Sequence, residues 1–88
     1  MVQMIEVTSS NIHSIGYDRN RSEIYVKFHN DGVRLYKYLR VPRLVWTCFK
    51  AADSKRRFLQ EYVIPYFNVV QVGVGNQLSQ KMISDRIQ

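Results

Sequence analysis

One cysteine in 88 residues leaves nothing for an internal disulfide framework, so the core must hold the fold unaided, and the expected setting is a reducing compartment. Metal-ligating residues are equally sparse. Cys48 and two well-separated histidines, His13 and His29, offer no zinc spacing, and the carboxylates form no calcium loop. No apolar run approaches the roughly 18 residues a membrane span needs. Met1–Ser10 lacks the basic-then-apolar layout of a signal peptide, which makes a cytoplasmic protein the expectation. Neither an internal repeat nor a low-complexity linker divides the chain, and its length suits one domain. Acidic residues are few, 7 against 13 Lys+Arg, for a formal charge of +6. The excess is concentrated between Tyr17 and Arg57, where eleven cations face four anions and the flanks together are at −1. Such a field attracts polyanions, nucleic acid first among them. A small domain also carries charge of this size simply to stay soluble.

What is present is 45% hydrophobic and reads as globular. Ile12–Tyr17 is a short strand interrupted by Gly16, and Asp18–Ser22 a polar connection. Glu23–His29 alternates with a period of two, Ile24, Val26 and Phe28 against Tyr25, Lys27 and His29. Asn30-Asp31-Gly32 suits a tight hairpin leading into Val33–Val41. Two readings of that strand stay open. Either Val33, Leu35, Lys37, Leu39 and Val41 face the core and Tyr36 and Tyr38 face solvent, or the tyrosines are core and Lys37 is exposed; a bulge near Leu39 would mix the two.

Pro42 suits the first position of a helix running to Ala52, with Leu44, Val45, Cys48 and Phe49 as its core stripe and Trp46 at the margin. Asp53-Ser54 breaks it and caps a second helix, Lys55 to Ile64, with Phe58, Leu59, Tyr62 and Val63 inward. Its first turn, Lys55-Arg56-Arg57, opposes the helix macrodipole. Beyond Pro65, Tyr66–Val74 is a candidate strand, Gly73–Asn76 a turn, and Ser79–Ile87 a short amphipathic helix. The expected fold is α+β: a small antiparallel sheet built on the central hairpin, packed against two consecutive helices, with a C-terminal strand and short helix as an extension.

Catalysis finds little support. Cys48 lies on the expected core stripe, where a thiol acts as a small hydrophobe, and a nucleophilic pair would need an imidazole within hydrogen-bond reach. Asp18, Asp31 and Asp53 fall at turns, where carboxylates bond the local backbone. Ser9 and Ser10 are expected to cap the first element rather than hold a phosphate. No enzyme, cofactor or metal is expected. Nucleic-acid contact is the better prospect. Tyr36 and Tyr38 project from one strand face with Arg34 and Arg40, an arrangement that stacks unpaired bases while guanidiniums hold phosphates. Lys37, Arg43, Lys55, Arg56 and Arg57 complete the candidate set, and Tyr25 with Lys27 is a second contact pair. The expected partner is RNA or single-stranded DNA. The other reading is an assembly module that self-associates as a homodimer through residues 66–87 and binds no nucleic acid.

Several runs resemble the KTSC domain: Val7 to Asp18, Ile24-Tyr25-Val26-Lys27-Phe28, Gly32, the Tyr36-Lys37-Tyr38 motif, Val41-Pro42, and Ala51-Ala52-Asp53-Ser54-Lys55 followed by Phe58. The family is named for the C-terminus of some lysyl-tRNA synthetases and also occurs as stand-alone bacterial or phage proteins. The resemblance implies a small domain over residues 1–66 and makes 67–88 an addition to it; its attachment to a synthetase is the ground on which RNA binding is proposed for the family. Where relatives tend to have glycine after the Ser-Lys pair, this chain has Arg56 beside Arg57, which raises the local positive charge.

Overall fold

The structure, a computed structural model, describes residues 2–29 and 34–74, with the backbone alone at 73 and 74. Five strands form one antiparallel sheet in sequential order: β1 (Ile5–Glu6), β2 (Ile12–Asp18), β3 (Glu23–Phe28), β4 (Arg34–Tyr38) and β5 (Val69–Val74). Helix α1 (Arg43–Ala51) and α2 (Lys55–Phe58) lie between β4 and β5, and α2 continues into a π-helical turn, Leu59–Val63. The α+β expectation and its central hairpin are met. The expected Asn30–Gly32 turn, Val33 and the Ser79–Ile87 helix lie outside the described residues.

Register decides which side chains meet. Ile15 pairs with Val26 and Tyr17 with Ile24, while Ile24 pairs with Tyr38 and Val26 with Tyr36, so these side chains share the face that the helices cover. There Ile12, Ile15, Ile24, Val26 and Tyr38 form one cluster with Val41, Trp46, Phe49, Leu59 and Val63. Tyr38 is only 4% exposed, and burial raises its hydroxyl pKa above the ordinary 10.0, with the neighbouring Tyr36 adding to the shift. The tyrosine face is therefore core. The chain then bends at Leu39-Arg40, with Arg40 in the left-handed region (φ 56), and returns the aliphatic Val41 to the same core. Both halves of the open alternative are partly realised.

Leu35 and Lys37 point to the opposite face. Lys37 Nζ lies 3.4 Å from Glu23 Oε1, an ion-pair distance, yet among the described residues no donor makes an aligned hydrogen bond to that buried oxygen. The N-terminal segment crosses this face over Gly16, where a Cβ would lie 2.7 Å from Met4 Sδ, 2.8 Å from Val2 Cγ1 and 2.9 Å from the Gln3 carbonyl oxygen. Only glycine permits that crossing.

The helices keep their expected places but not every expected face. Pro42 sits one position before the helix, its carbonyl accepting from Val45 and Trp46. Trp46 and Phe49 are buried, whereas Leu44 is 72% exposed and Cys48 is exposed, contrary to the expected stripe. The aromatic rings decide this rotation. Trp46 stacks on Tyr17 at 5.5 Å and Phe49 on Phe58 at 5.5 Å, contacts that bury more area than Leu44 and Cys48 offer. Ser54 caps α2 as expected, accepting from the Arg57 amide at 3.2 Å. The second helix widens instead of running uniformly to Ile64, whose amide reaches back five residues to Leu59 at 2.8 Å. Leu59 and Val63 are buried, while Tyr62 is 55% exposed and so leaves the expected inward set. The strand expected at Tyr66–Val74 begins at Val69 and pairs with β4 of its own chain.

Candidate nucleic-acid interface

Two turns meet at one end of the molecule. In the β2–β3 connection, Asp18 Oδ1 accepts from the amides of Asn20 (3.0 Å) and Arg21 (3.2 Å), an Asx turn that projects Arg19 and Arg21. Ser22 follows in the left-handed region, φ 58, and its carbonyl accepts from the Val41 amide at 2.7 Å. The Tyr17 hydroxyl donates to the Val41 carbonyl, also at 2.7 Å. This double clamp places the arginine-bearing turn beside the Arg40–Arg43 junction, so side chains more than twenty positions apart become neighbours.

Arg19 and Arg43 line a cavity of about 550 Å³ with Tyr17, Asp18, Asn20 and Ser22. The same two arginines also line an adjoining cavity of about 300 Å³ with Trp46, Thr47 and Lys50. Lys50 Nζ stands 5.5 Å above the Trp46 ring, and Trp46 stacks on Tyr17 with the planes 9° apart. Trp46 is 9% exposed, so the aromatic pair forms a floor beneath Lys50. The first turn of α1 carries no acidic residue and Pro42 supplies no side-chain cap, which leaves the positive end of the helix uncompensated beside Arg43.

The site residues expected from sequence do not form one surface. Arg40 and Arg43 join the basic end. Arg34 is exposed at the start of β4, and Lys37 faces Glu23 on the other side of the sheet. Tyr38 is in the core, and Tyr36 is half-buried with its ring edge-on to Phe28 at 5.5 Å, so the drawn Tyr36–Tyr38 platform is not open for stacking. Tyr25 and Lys27 are half-buried. At the α2 corner, Lys55 donates to the Ala52 carbonyl and Arg57 pairs with Glu61 at 3.0 Å, which raises the guanidinium pKa through that hydrogen bond and the carboxylate charge. Arg56 is exposed there. Sequence reasoning missed Arg19, Arg21 and Lys50 as site residues. A signal existed in the spacing of Arg43, Thr47 and Lys50, which share one helix face.

Other chemistry is not assembled. The groove containing Cys48 is lined by apolar and aromatic side chains without an imidazole, while the His13 and His29 rings meet each other at 5.2 Å. Among the described residues no group of three or more His, Cys, Asp or Glu is placed to hold a metal ion, and no helix is long and apolar enough to cross a membrane. Ser9 Oγ accepts from the amides of Asn11 (3.3 Å) and Ile12 (3.2 Å), the capping use expected of it.

A five-stranded meander with its helices inserted before the last strand, and a Tyr-x-Tyr strand against them, defines a small α+β domain. The KTSC domain model matches residues 8–67, and the chain belongs to that family. A crystal structure of a KTSC domain protein from Yersinia pestis is similar, with 34% sequence identity and a TM-score of 0.77 over 83% of this chain and 100% of that one. No curated protein matches the chain.

Proposed function

We propose that this domain is a non-enzymatic module of the cytoplasm that binds RNA or single-stranded DNA through the basic end formed by Arg19, Arg21, Arg40, Arg43 and Lys50. The observation that carries the reading is the junction of the two turns, which brings Arg19, Arg43 and Lys50 around two adjoining cavities with Asp18 as the one carboxylate lining them, while Arg21 and Arg40 are exposed on the turns themselves. That carboxylate is already occupied by two backbone amides. Guanidiniums spaced around a concavity suit phosphate oxygens, since each offers paired donors in a fixed fork. Recognition rests on charge with little base stacking, because the rings at this site are engaged with each other and with Lys50.

Fluorescence anisotropy with labelled single-stranded RNA, single-stranded DNA and tRNA tests this. Three phosphates neutralised by Arg19, Arg43 and Lys50 give a log–log salt slope near −2 at about 0.7 per contact, or roughly a twentyfold loss of affinity from about 50 to 200 mM salt. Arg19→Glu with Arg43→Glu abolishes binding while the domain stays folded. Unchanged affinity in that double variant, or no binding at the lowest salt, overturns the reading.

A further inference from the structure

His13 and His29 stand far apart in sequence, yet their rings meet with centroids 5.2 Å apart and planes at 74°. A β-bulge makes the meeting. Ile12 pairs with Phe28 and Ser14 with Lys27, so His13 is the extra residue of β2 and has no partner of its own on β3. A bulge gives up a ladder position and re-aims one side chain, which is why bulges gather beside functional sites. The backbone at both rings is fixed. The Val7 amide donates to the His13 carbonyl at 3.1 Å, and the His29 amide donates to the Asn11 carbonyl at 2.7 Å. His29 is exposed, so burial of apolar surface does not account for the position of its ring.

We propose that these two imidazoles form an open site for a divalent transition-metal ion of the Zn²⁺ type. Imidazole nitrogen selects zinc, copper and nickel over magnesium and calcium, which take oxygen donors. The spacing fits. Two Zn–N bonds of about 2.0–2.1 Å at a tetrahedral angle set the centroids of the ligating rings roughly 5 Å apart, close to the 5.2 Å between His13 and His29. One ring is already oriented. His13 Nδ1 lies 3.1 Å from Ser14 Oγ, and Ser14 is only 2% exposed. With Nδ1–H donating to that oxygen, the Nε2 lone pair of His13 is left for the ion, and a fixed partner of this kind is what holds a metal-ligating imidazole in its tautomer and plane. The rings stand edge to face, so the exposed His29 turns about its side-chain bonds to bring its nitrogen to the same point. Two protein donors leave the other coordination positions to water, which makes binding reversible. The site is separate from the basic end, since neither cavity there is lined by a histidine.

Calorimetric titration of the full chain with Zn²⁺, alongside proton–nitrogen correlation spectra of the imidazole rings, tests the proposal. One ion per chain is expected, with the signals of both rings shifting over the same range of ion concentration. His13→Gln and His29→Gln are each expected to lower the affinity by about tenfold or more, because the second ligand no longer adds to the first. His29 is exposed, so its variant keeps the fold even if His13→Gln does not. Ser14→Ala retains both imidazoles and is expected to weaken binding by about tenfold through loss of the oriented ring. Cys48→Ser is expected to bind as wild type, since no imidazole lines the groove that holds the thiol. Absence of heat and of ring shifts up to about 1 mM Zn²⁺ overturns the proposal and leaves the two rings as an aromatic contact. A shift confined to one ring, or an affinity that survives His29→Gln and falls in Cys48→Ser, also overturns it.

Discussion

Tyr17→Phe removes one oxygen and keeps the ring that stacks on Trp46. That oxygen donates at 2.7 Å to the carbonyl of Val41, a residue with no solvent exposure. A neutral hydrogen bond contributes about 0.5–1.5 kcal/mol net, and a buried acceptor left unpaired costs about 1–3 kcal/mol. The expected loss is therefore about 1–2 kcal/mol. In a domain of this size about 1 kcal/mol moves Tm by about 4–8 °C, so a fall of roughly 5–15 °C should appear. Urea unfolding followed by the emission of Trp46, the chain's only tryptophan, measures it directly, since that indole lies against Tyr17. The midpoint should fall with the slope unchanged, because the surface exposed on unfolding is the same. Tyr17→Leu also loses the stack and should fall further. Loosening the clamp should also weaken nucleic-acid binding without removing a charge, because Arg19 and Arg43 are held together through it. An unaltered midpoint in Tyr17→Phe would refute the argument that this bond ties the two turns together.

Three further outcomes follow from other contacts. Lys37→Ala leaves Glu23 buried without its counter-charge and should cost about 2–3 kcal/mol, less than for a fully buried pair because Lys37 keeps some solvent. The double change Lys37→Met with Glu23→Gln should stay within about 1 kcal/mol of wild type, and equal urea midpoints for the single and double variants would refute the pairing. Gly16→Ala forces residues 2–4 off the sheet, because the Gln3 backbone oxygen cannot rotate aside as the Val2 and Met4 side chains can. Its cost of about 1–3 kcal/mol should largely vanish when residues 1–4 are also deleted, as measured by the same unfolding assay. Tyr38 holds its proton more tightly folded than unfolded, so its contribution is complete below about pH 10 and is lost as pH rises beyond it. Tyrosinate absorbance should show one late-titrating phenol that disappears in Tyr38→Phe, whose stability should fall less steeply in alkali.

Much of the architecture is legible in local pattern. The alternation through Glu23–Phe28 and the Ser54 cap read correctly because each rests on a period or a hydrogen bond within a few residues. The boundary at Pro65 read correctly for the same reason, since its ring cannot donate to the preceding turn. The second hairpin strand did not resolve, because a bend with positive φ at Arg40 lets Tyr38 and Val41 enter one core from opposite parities. The α1 stripe read correctly at Phe49 and Val45 and misread at Leu44 and Cys48, for a related reason. Helical spacing allows either Leu44 and Cys48 or Trp46 to join Phe49 on the inward side, and the choice is made by Tyr17 and Phe58, which come from other elements.

The candidate site divides in the same way. Composition and charge distribution alone determined that the chain is basic and that its excess cations fall between Tyr17 and Arg57. Which of them stand together was decided by the tertiary structure. Two backbone contacts to Val41, from Tyr17 and Ser22, bring Arg19 to Arg43, while register sends Lys37 to Glu23 and Tyr38 into the core. Patterns along a chain report periods and neighbours. Proximity across more than twenty residues depends on how buried rings and strand register close the fold, and those terms exist only once the elements pack.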